Sequence, residues 1–270
     1  MVDTAVMVKA SLDANMIRVD SSGRLLIEEM PLAISEYDRN AVEEAIRIKE
    51  KFGGKVAVFS VVTWGPLTKR VNDTESVLRE ALAMGADEAY MVVDEKLINA
   101  NPLQTAIALA AAIKKTGNYD LYLAGEASMD VISAQIAARV GVLLDLPTIT
   151  FARAIELDMA NKKAKVLRDL EDSLQWIETS LPAVISVTGE INKARLPMLL
   201  QIRRAFSKPL KKFTLNELGI QLPDVGHFRE SIRLLTISRK NIIIEAGTLD
   251  EAAEKLISKL VEDGVIKPKM

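Results

Sequence analysis

The feature that most constrains this chain is a grammar repeated through its first half. A short run of apolar residues is followed by a segment with apolar residues at helical spacing, and then by another short run. The runs are Thr4–Val8, Lys55–Val62, Ala89–Val93 and Leu121–Ala124. Near-continuous apolar runs of this length suit strands buried on both faces. The first intervening helix is expected to start at Asp38, as its cap, and to bury Ala41, Val42, Ala45, Ile46 and Ile48 before Gly53 and Gly54 end it. The next is expected over Glu75–Met84, stopped by Gly85, and the third over Pro102–Lys115. Thr63–Thr74 reads as a polar, flexible connection. Asp20-Ser21-Ser22-Gly23 sits between Met16–Val19 and Leu25–Glu28 and predicts a hairpin after the first strand and its loop, Ala10–Asn15. Strands alternating with helices define an α/β fold, a parallel sheet with helices on both faces.

The grammar changes after Pro147. Thr148–Glu156, Lys163–Asp169, Leu174–Ser180 and Ala183–Val187 read as strands with no helix between them, and are expected to form an antiparallel extension over residues 148–188. Pro197–Phe206 predicts a short helix. The nucleotide-binding domain is therefore expected to span residues 1–206, with residues 207–270 as a C-terminal arm interrupted by Pro209, Pro223 and Gly226. Within the arm, Asn241–Glu245 reads as a strand and Leu249–Glu262 as a helix, with Thr248 and Glu251 in capping-box spacing. An arm of this kind cannot bury its apolar face alone and is expected to pack on another subunit.

One stretch carries a candidate site. Asp120–Gly141 begins as the fourth strand, breaks at Gly125 and resumes with Ile132, Ile136 and Val140 spaced by four, as on a helix. A strand turning through glycine into a helix leaves free backbone N–H groups that suit a phosphate. Ser128 and Asp130 are capping types, and Ser133 and Gln135 add hydrogen-bonding capacity. Such turns also recur in α/β domains with no ligand at all, so the stretch alone leaves both readings open. Lys9, at the end of the first strand, is either a phosphate contact or a surface lysine. Neither G-x-G-x-x-G after the first strand nor G-x-x-x-x-G-K-[ST] occurs, so a standard dinucleotide fingerprint and a P-loop are absent.

Composition removes several other chemistries. There are no cysteines and one histidine, His227, so thiolate catalysis, cysteine-ligated metals and a histidine-based triad are excluded within this chain. His227 itself reads as a packing or exposed residue. Lys plus Arg (35) nearly balances Asp plus Glu (37), which gives no reason to expect nucleic acid as a partner. No apolar run approaches the ~20 residues that span a bilayer, and the N-terminus lacks a signal-peptide pattern, so a cytoplasmic protein is expected. The acidic residues Asp169, Glu171 and Asp172 read as a solvated turn. LPMLLQI, Leu196–Ile202, is apolar and flanked by Arg195, Arg203 and Arg204, which is a docking surface in form or a core-facing helix with basic edges. No catalytic or metal-binding constellation emerges. A nucleotide-sized site with docking surfaces favours a carrier or regulatory subunit.

Several phrases together resemble the β subunit of electron transfer flavoprotein. They are Val8-Lys9, Tyr37–Glu50, Leu78–Asp87, Gly125–Gln135 and Leu181–Pro197, in that family's order and spacing. The resemblance implies a Rossmann-like fold of the adenine nucleotide alpha hydrolase type. It implies an FAD-bearing α subunit as partner, and redox partners of the dehydrogenase and quinone-reductase type. It further implies a ligand in this subunit that is either AMP or a second FAD used in bifurcation. The family's site positions fall on Met7, Lys9, Ser35, Glu36, Tyr37, Asp38, Val61 and Gly125–Ile136, which includes Ser128, Asp130, Val131, Ile132, Ser133, Ala134 and Gln135. Backbone at Met7 and Val61 is expected to meet adenine, Ser133–Gln135 to hold phosphate, and Asp130 to fix the loop by capping. The family's partner-recognition loop maps to Asn192–Arg204, with Leu199 as its anchor.

Departures from the family pattern bear on the ligand. Ser35-Glu36 replaces an asparagine-proline pair, and Ser11-Leu12-Asp13 keeps only the aspartate of a proline-aspartate phrase. Ser133-Ala134-Gln135 resembles the two-flavin form and lacks the extra carboxylates of AMP-binding members, so FAD is favoured. Val131 stands where a glycine would admit a dinucleotide more closely. Two other readings remain at this stage: a stand-alone adenine-nucleotide-binding regulatory homodimer without flavin, and a nucleotide-dependent hydrolase or ligase, which the missing P-loop and thiol disfavour.

Overall fold

The computed structural model describes residues 1–225, 232 and 239–267. His227 lies outside them. Two compact units divide the chain, Met1–Arg233 and Leu234–Met270.

In the first unit the apolar runs form β1 (Thr4–Met7), β4 (Val56–Val61), β5 (Glu88–Val92) and β6 (Leu121–Gly125). Every residue of β1 and β4 is buried, as strands covered on both faces require. Together with β10 (Ala183–Val187), β7 (Thr148–Asp158), β8 (Lys163–Asp169), β9 (Leu174–Ser180) and β11 (Leu210–Phe213) they make a nine-stranded sheet. Its order is β11-β5-β4-β1-β6-β10-β7-β8-β9. The sheet is parallel from β11 to β7 and antiparallel through β8 and β9.

Helices cover both faces. α1 (Glu36–Phe52) and α2 (Leu67–Met84) pack on one apolar cluster. α3 (Pro102–Thr116) and α4 (Ile136–Leu144) pack on the other. All five predicted core positions of α1 are buried, and Gly53 ends that helix at φ 70°. The α/β reading holds.

Four local expectations are corrected. Ala183–Val187 is a fully buried parallel strand between β6 and β7, because the chain returns from the β7–β8–β9 meander into the sheet interior. The segment 63–74 is not a flexible connection: α2 begins at Leu67, after Pro66, and its polar first turns hide a buried Arg70. Residues 10–15 are not all loop. β2 (Ala10–Leu12) pairs with β3 (Leu32–Ile34), while the predicted hairpin arms keep one bridge, Val19 to Leu25, around a turn organised by Asp20. The domain also runs past residue 206, since β11 extends the sheet beside β5 and the short helix α6 (Leu215–Leu218) buries Leu215 in the α3–α4 core. The predicted helix at 197–206 is α5 (Leu199–Ala205).

In the second unit α7 (Leu249–Glu262) has the predicted bounds. Thr248 Oγ1 accepts the Glu251 N–H at 3.2 Å, while the Glu251 carboxylate reaches Gly247 N rather than Thr248 N. Asn241–Glu245 is not a strand, having no neighbour to pair with among the described residues.

Candidate nucleotide site

The topology itself chooses a place for a ligand. From the central β1, the chain builds outward through β4 and β5 on one side, then crosses to β6 on the other. In open parallel sheets ligands bind outside the carboxyl ends of the strands at such a switch point. A cleft of about 800 Å³, its open mouth included, lies there.

The two strand ends at the switch point are stitched together by α1. Asp38 Oδ2 accepts the Lys9 N–H at 2.8 Å, and its Oδ1 accepts the Gly125 N–H at 3.1 Å. Asp38 is therefore not the cap of α1. Ser35 holds that position, without a side-chain cap bond, and its buried hydroxyl has no partner among the described residues. Gly125 is required here, because a Cβ would stand 2.6 Å from Asp38 Oδ1 and 2.7 Å from the Tyr37 backbone carbon. Burial pushes the Asp38 carboxyl up to about 7, against the two N–H donors and the Lys9 charge. A raised carboxyl retains its proton in the fold where the unfolded chain has lost it. Its contribution to stability is thus complete below about pH 4 and is lost as pH rises to about 7, at up to about 1.4 kcal/mol per unit. Urea titrations between about pH 5 and about pH 8 should show wild type losing stability relative to Asp38→Asn as pH rises. A pH-independent difference would rule this linkage out.

Asp130 organises the loop after β6, but not by capping. Its Oδ1 accepts Lys9 Nζ at 2.6 Å, and its Oδ2 accepts Leu12 N and Trp64 Nε1, each at 3.1 Å. The side chain is 3% exposed. Burial would raise this carboxyl, yet Lys9, the Ser128 hydroxyl and the Leu12 N–H together hold it below its usual value. Lys9 also reaches Ser128 Oγ at 3.3 Å, so it is a paired cation and not a free surface lysine.

The helix expected from Ile132 starts only at Ile136. Ile132 and Ala134 have φ of 52° and 50°, which breaks the helical path, and Ile132 is 70% exposed rather than part of an apolar face. Alternating backbone sign of this kind gathers N–H groups into an anion-binding concavity. Ser133, Ala134 and Gln135 line the cleft, and their N–H groups meet no acceptor among the described residues. Val131 packs toward the Leu12–Met30–Trp64 cluster. Donors converging in front of the α4 N-terminus fit a phosphate or pyrophosphate.

Of the expected site residues, the cleft brings together Met7, Lys9, Asp38, Val61, Gly125, Ser128, Val131 and Ser133–Ile136. Ser35, Glu36, Tyr37, Asp130 and Ile132 are not on its wall. Asp130 acts from behind through Lys9. Sequence reasoning missed the opposite wall, Ala100, Pro102, Thr105 and Leu109 of α3 and the turn before it, and also Thr63; Glu126, within the expected stretch Gly125–Ile136, is on the wall. Small and apolar residues at a helix start carry no chemical signature. The Asn101-Pro102 cap was the one available signal.

The expected docking loop is separate from the cleft. Leu196, Met198, Leu199 and Phe206 are 81%, 68%, 76% and 69% exposed, so this is not a core-facing helix. Arg203 and Arg204 are exposed beside them. Arg195 is not part of a free basic rim. It is tied to α1 through Glu43 at 2.7 Å and Glu50 at 2.6 Å.

A doubly wound sheet with an anion-receptive loop at its switch point defines a nucleotide-binding α/β domain of Rossmann-like type. The electron transfer flavoprotein domain model matches residues 24–218. The chain is 36% identical to the electron transfer flavoprotein subunit beta of Thermoanaerobacterium thermosaccharolyticum, covering 97% of this chain and 98% of that one. It is 32% identical to the caffeyl-CoA reductase-Etf complex subunit CarD of Acetobacterium woodii, over 94% and 96% of the two chains. With the subunit beta of Bacillus subtilis the identity is 31%, over 94% and 96%. The chain belongs to the electron transfer flavoprotein family, among its β subunits. No helix among the described residues is long and apolar enough to cross a membrane.

Proposed function

We propose that this chain is the β subunit of a cytoplasmic heterodimeric electron transfer flavoprotein whose cleft holds a second FAD. An α subunit carries the other FAD. Electrons pass from dehydrogenase, NADH or ferredoxin-type donors to a quinone-reductase-type acceptor, and two flavins make electron bifurcation the activity to assay. The observation that carries the FAD reading is the disposition of the loop after β6. Of its two carboxylates Glu126 stands on the cleft wall next to Gly125, while Asp130 is turned into Lys9, Leu12 and Trp64, so the segment Ser133–Gln135 itself presents donors to the cleft. A pyrophosphate at Ser133–Gln135 meets N–H donors, with the Lys9 charge on the same cleft wall.

The flavin supplies the redox chemistry when bound. The residues of this chain bind and orient it. Met7 and Val61 offer backbone and apolar surface at the strand ends, Ser133–Gln135 hold the anion, and Lys9 adds positive charge. The second unit, Leu234–Met270, is the α-subunit contact, its α7 presenting Leu249, Leu256 and Ile257 exposed.

The test is nucleotide stoichiometry after co-expression with an α-type subunit. Two FAD and no AMP per heterodimer are expected. One FAD and one AMP would replace the second flavin by a structural ligand. A chain that takes up neither nucleotide nor an α subunit would overturn the reading.

Docking of redox partners is assigned to the exposed Leu199 and its neighbours. Leu199→Ala should weaken the complex with the cognate dehydrogenase by roughly tenfold or more, as anchors at an interface centre do. The melting temperature should not move, since the Leu199 side chain is largely exposed. Unchanged affinity in a binding titration would reassign the loop.

A further inference from the structure

The anion-receptive segment contains one side chain whose orientation is dictated from outside the cleft. Gln135, the N-cap residue of α4, lines the cleft. Its Oε1 accepts two bonds from Arg139, one turn further along the helix: from Nε at 2.9 Å and from Nη2 at 2.8 Å. A guanidinium has only donors. An amide facing it must present its oxygen, and the amide nitrogen must then point the other way. The two N–H bonds of Gln135 Nε2 have no acceptor among the described residues. Arg139 does not line the cleft. Without it the amide could turn over and offer an oxygen to the ligand, replacing two donors with a repulsive acceptor.

We infer that Arg139 is a positioning residue for the nucleotide anion: by holding the Gln135 oxygen in a two-pronged grip, it locks the Gln135 amide as a donor toward the phosphate. This rests on the nucleotide reading of the cleft and adds to it a residue that no phosphate contact would reveal. Lysine at the same place could make one such bond but could not fix the amide plane.

A double-mutant cycle tests it, with nucleotide affinity measured by calorimetry on the heterodimer stripped of ligand, using FAD and AMP as separate probes at the β-subunit cleft. Arg139→Met and Gln135→Ala should each weaken binding of the nucleotide that wild type accepts by about tenfold. The double variant should be no weaker than Gln135→Ala alone, because Arg139 acts only through Gln135. Arg139→Lys should restore part of the loss. Melting curves of the single variants should stay close to wild type. Multiplying losses in the double variant would overturn the inference and give Arg139 a direct charge interaction with the ligand, as would wild-type affinity in Arg139→Met. A wild-type cleft that takes up neither FAD nor AMP would overturn the nucleotide reading and this inference together, whereas retained binding with multiplying losses removes only the inference.

Discussion

Replacing Arg70 by methionine is expected to cost about 3–5 kcal/mol of folding free energy, the range for removing one member of a buried charged network. Arg70 is fully buried on α2. Its guanidinium donates to the carbonyls of Gly65 at 3.2 Å and Met30 at 2.8 Å, to that of Ile27, and to Asp73 Oδ2 at 2.8 Å. Methionine fills similar volume but leaves those carbonyls without that donor, the Met30 carbonyl in a buried place. Lysine should recover only a fraction, because one ammonium cannot face carbonyls in several directions. Urea denaturation decides the matter, and a loss below about 1 kcal/mol would show that the loops find other donors. The effect should reach the cleft. Arg70 clamps the segment at residues 27–30 over the small cluster of Leu12, Met30 and Trp64, and Trp64 in turn holds Asp130.

Asp130→Ala is the second large effect expected, and it falls on both stability and binding. The substitution removes the acceptor of three donors from two parts of the chain: the Lys9 ammonium and the Leu12 N–H after β1, and the Trp64 indole after β4. Lys9 is partly solvated, at 27% exposure, which lowers the cost from that of a fully buried pair. A loss of about 2–4 kcal/mol follows. The loop from Val131 to Gln135 loses its anchor, so nucleotide affinity should drop by at least about tenfold as the donors cease to be preorganised. Asp130→Asn keeps the shape but turns an N–H₂ toward one donor, and should fall between the two. Release of bound nucleotide during gel filtration, set beside thermal melting, separates the effects. Unchanged retention in Asp130→Ala would mean that the loop holds its form without this anchor.

The two sites differ in how far their residues could be read in advance. Asp130 stood out because an acid beside glycine and serine is a familiar loop signature, but its expected role was local capping. The role is tertiary, since Lys9, Leu12 and Trp64 are far away in sequence and nothing in the loop itself announces them. Arg70 did not stand out at all. A charged residue in a polar stretch reads as solvated, and only the packing of the 27–30 segment over α2 turns it into a core residue. Ile132 failed for the opposite reason. Its spacing with Ile136 and Val140 is helical, yet left-handed backbone at Ile132 and Ala134 delays the helix, and spacing carries no information on backbone handedness.

The sequence by itself determined the alternation of buried strands and amphipathic helices, because apolar periodicity follows directly from which faces must leave water. It determined the end of α1 at Gly53, the bounds of α3 to within a residue and both the bounds and the N-cap of α7, through local glycine, proline and hydroxyl chemistry. It also determined the family, through phrases whose spacing survives in order. Tertiary structure alone decided the strand order that creates the switch point, the insertion of Ala183–Val187 between β6 and β7, and the addition of Leu210–Phe213 at the edge. It alone decided that Asp38 joins two strand ends and that Arg139 turns the Gln135 amide. These depend on which groups meet across long sequence separations, or on which face of a residue a neighbour occupies, and residue order does not encode that until the chain has packed.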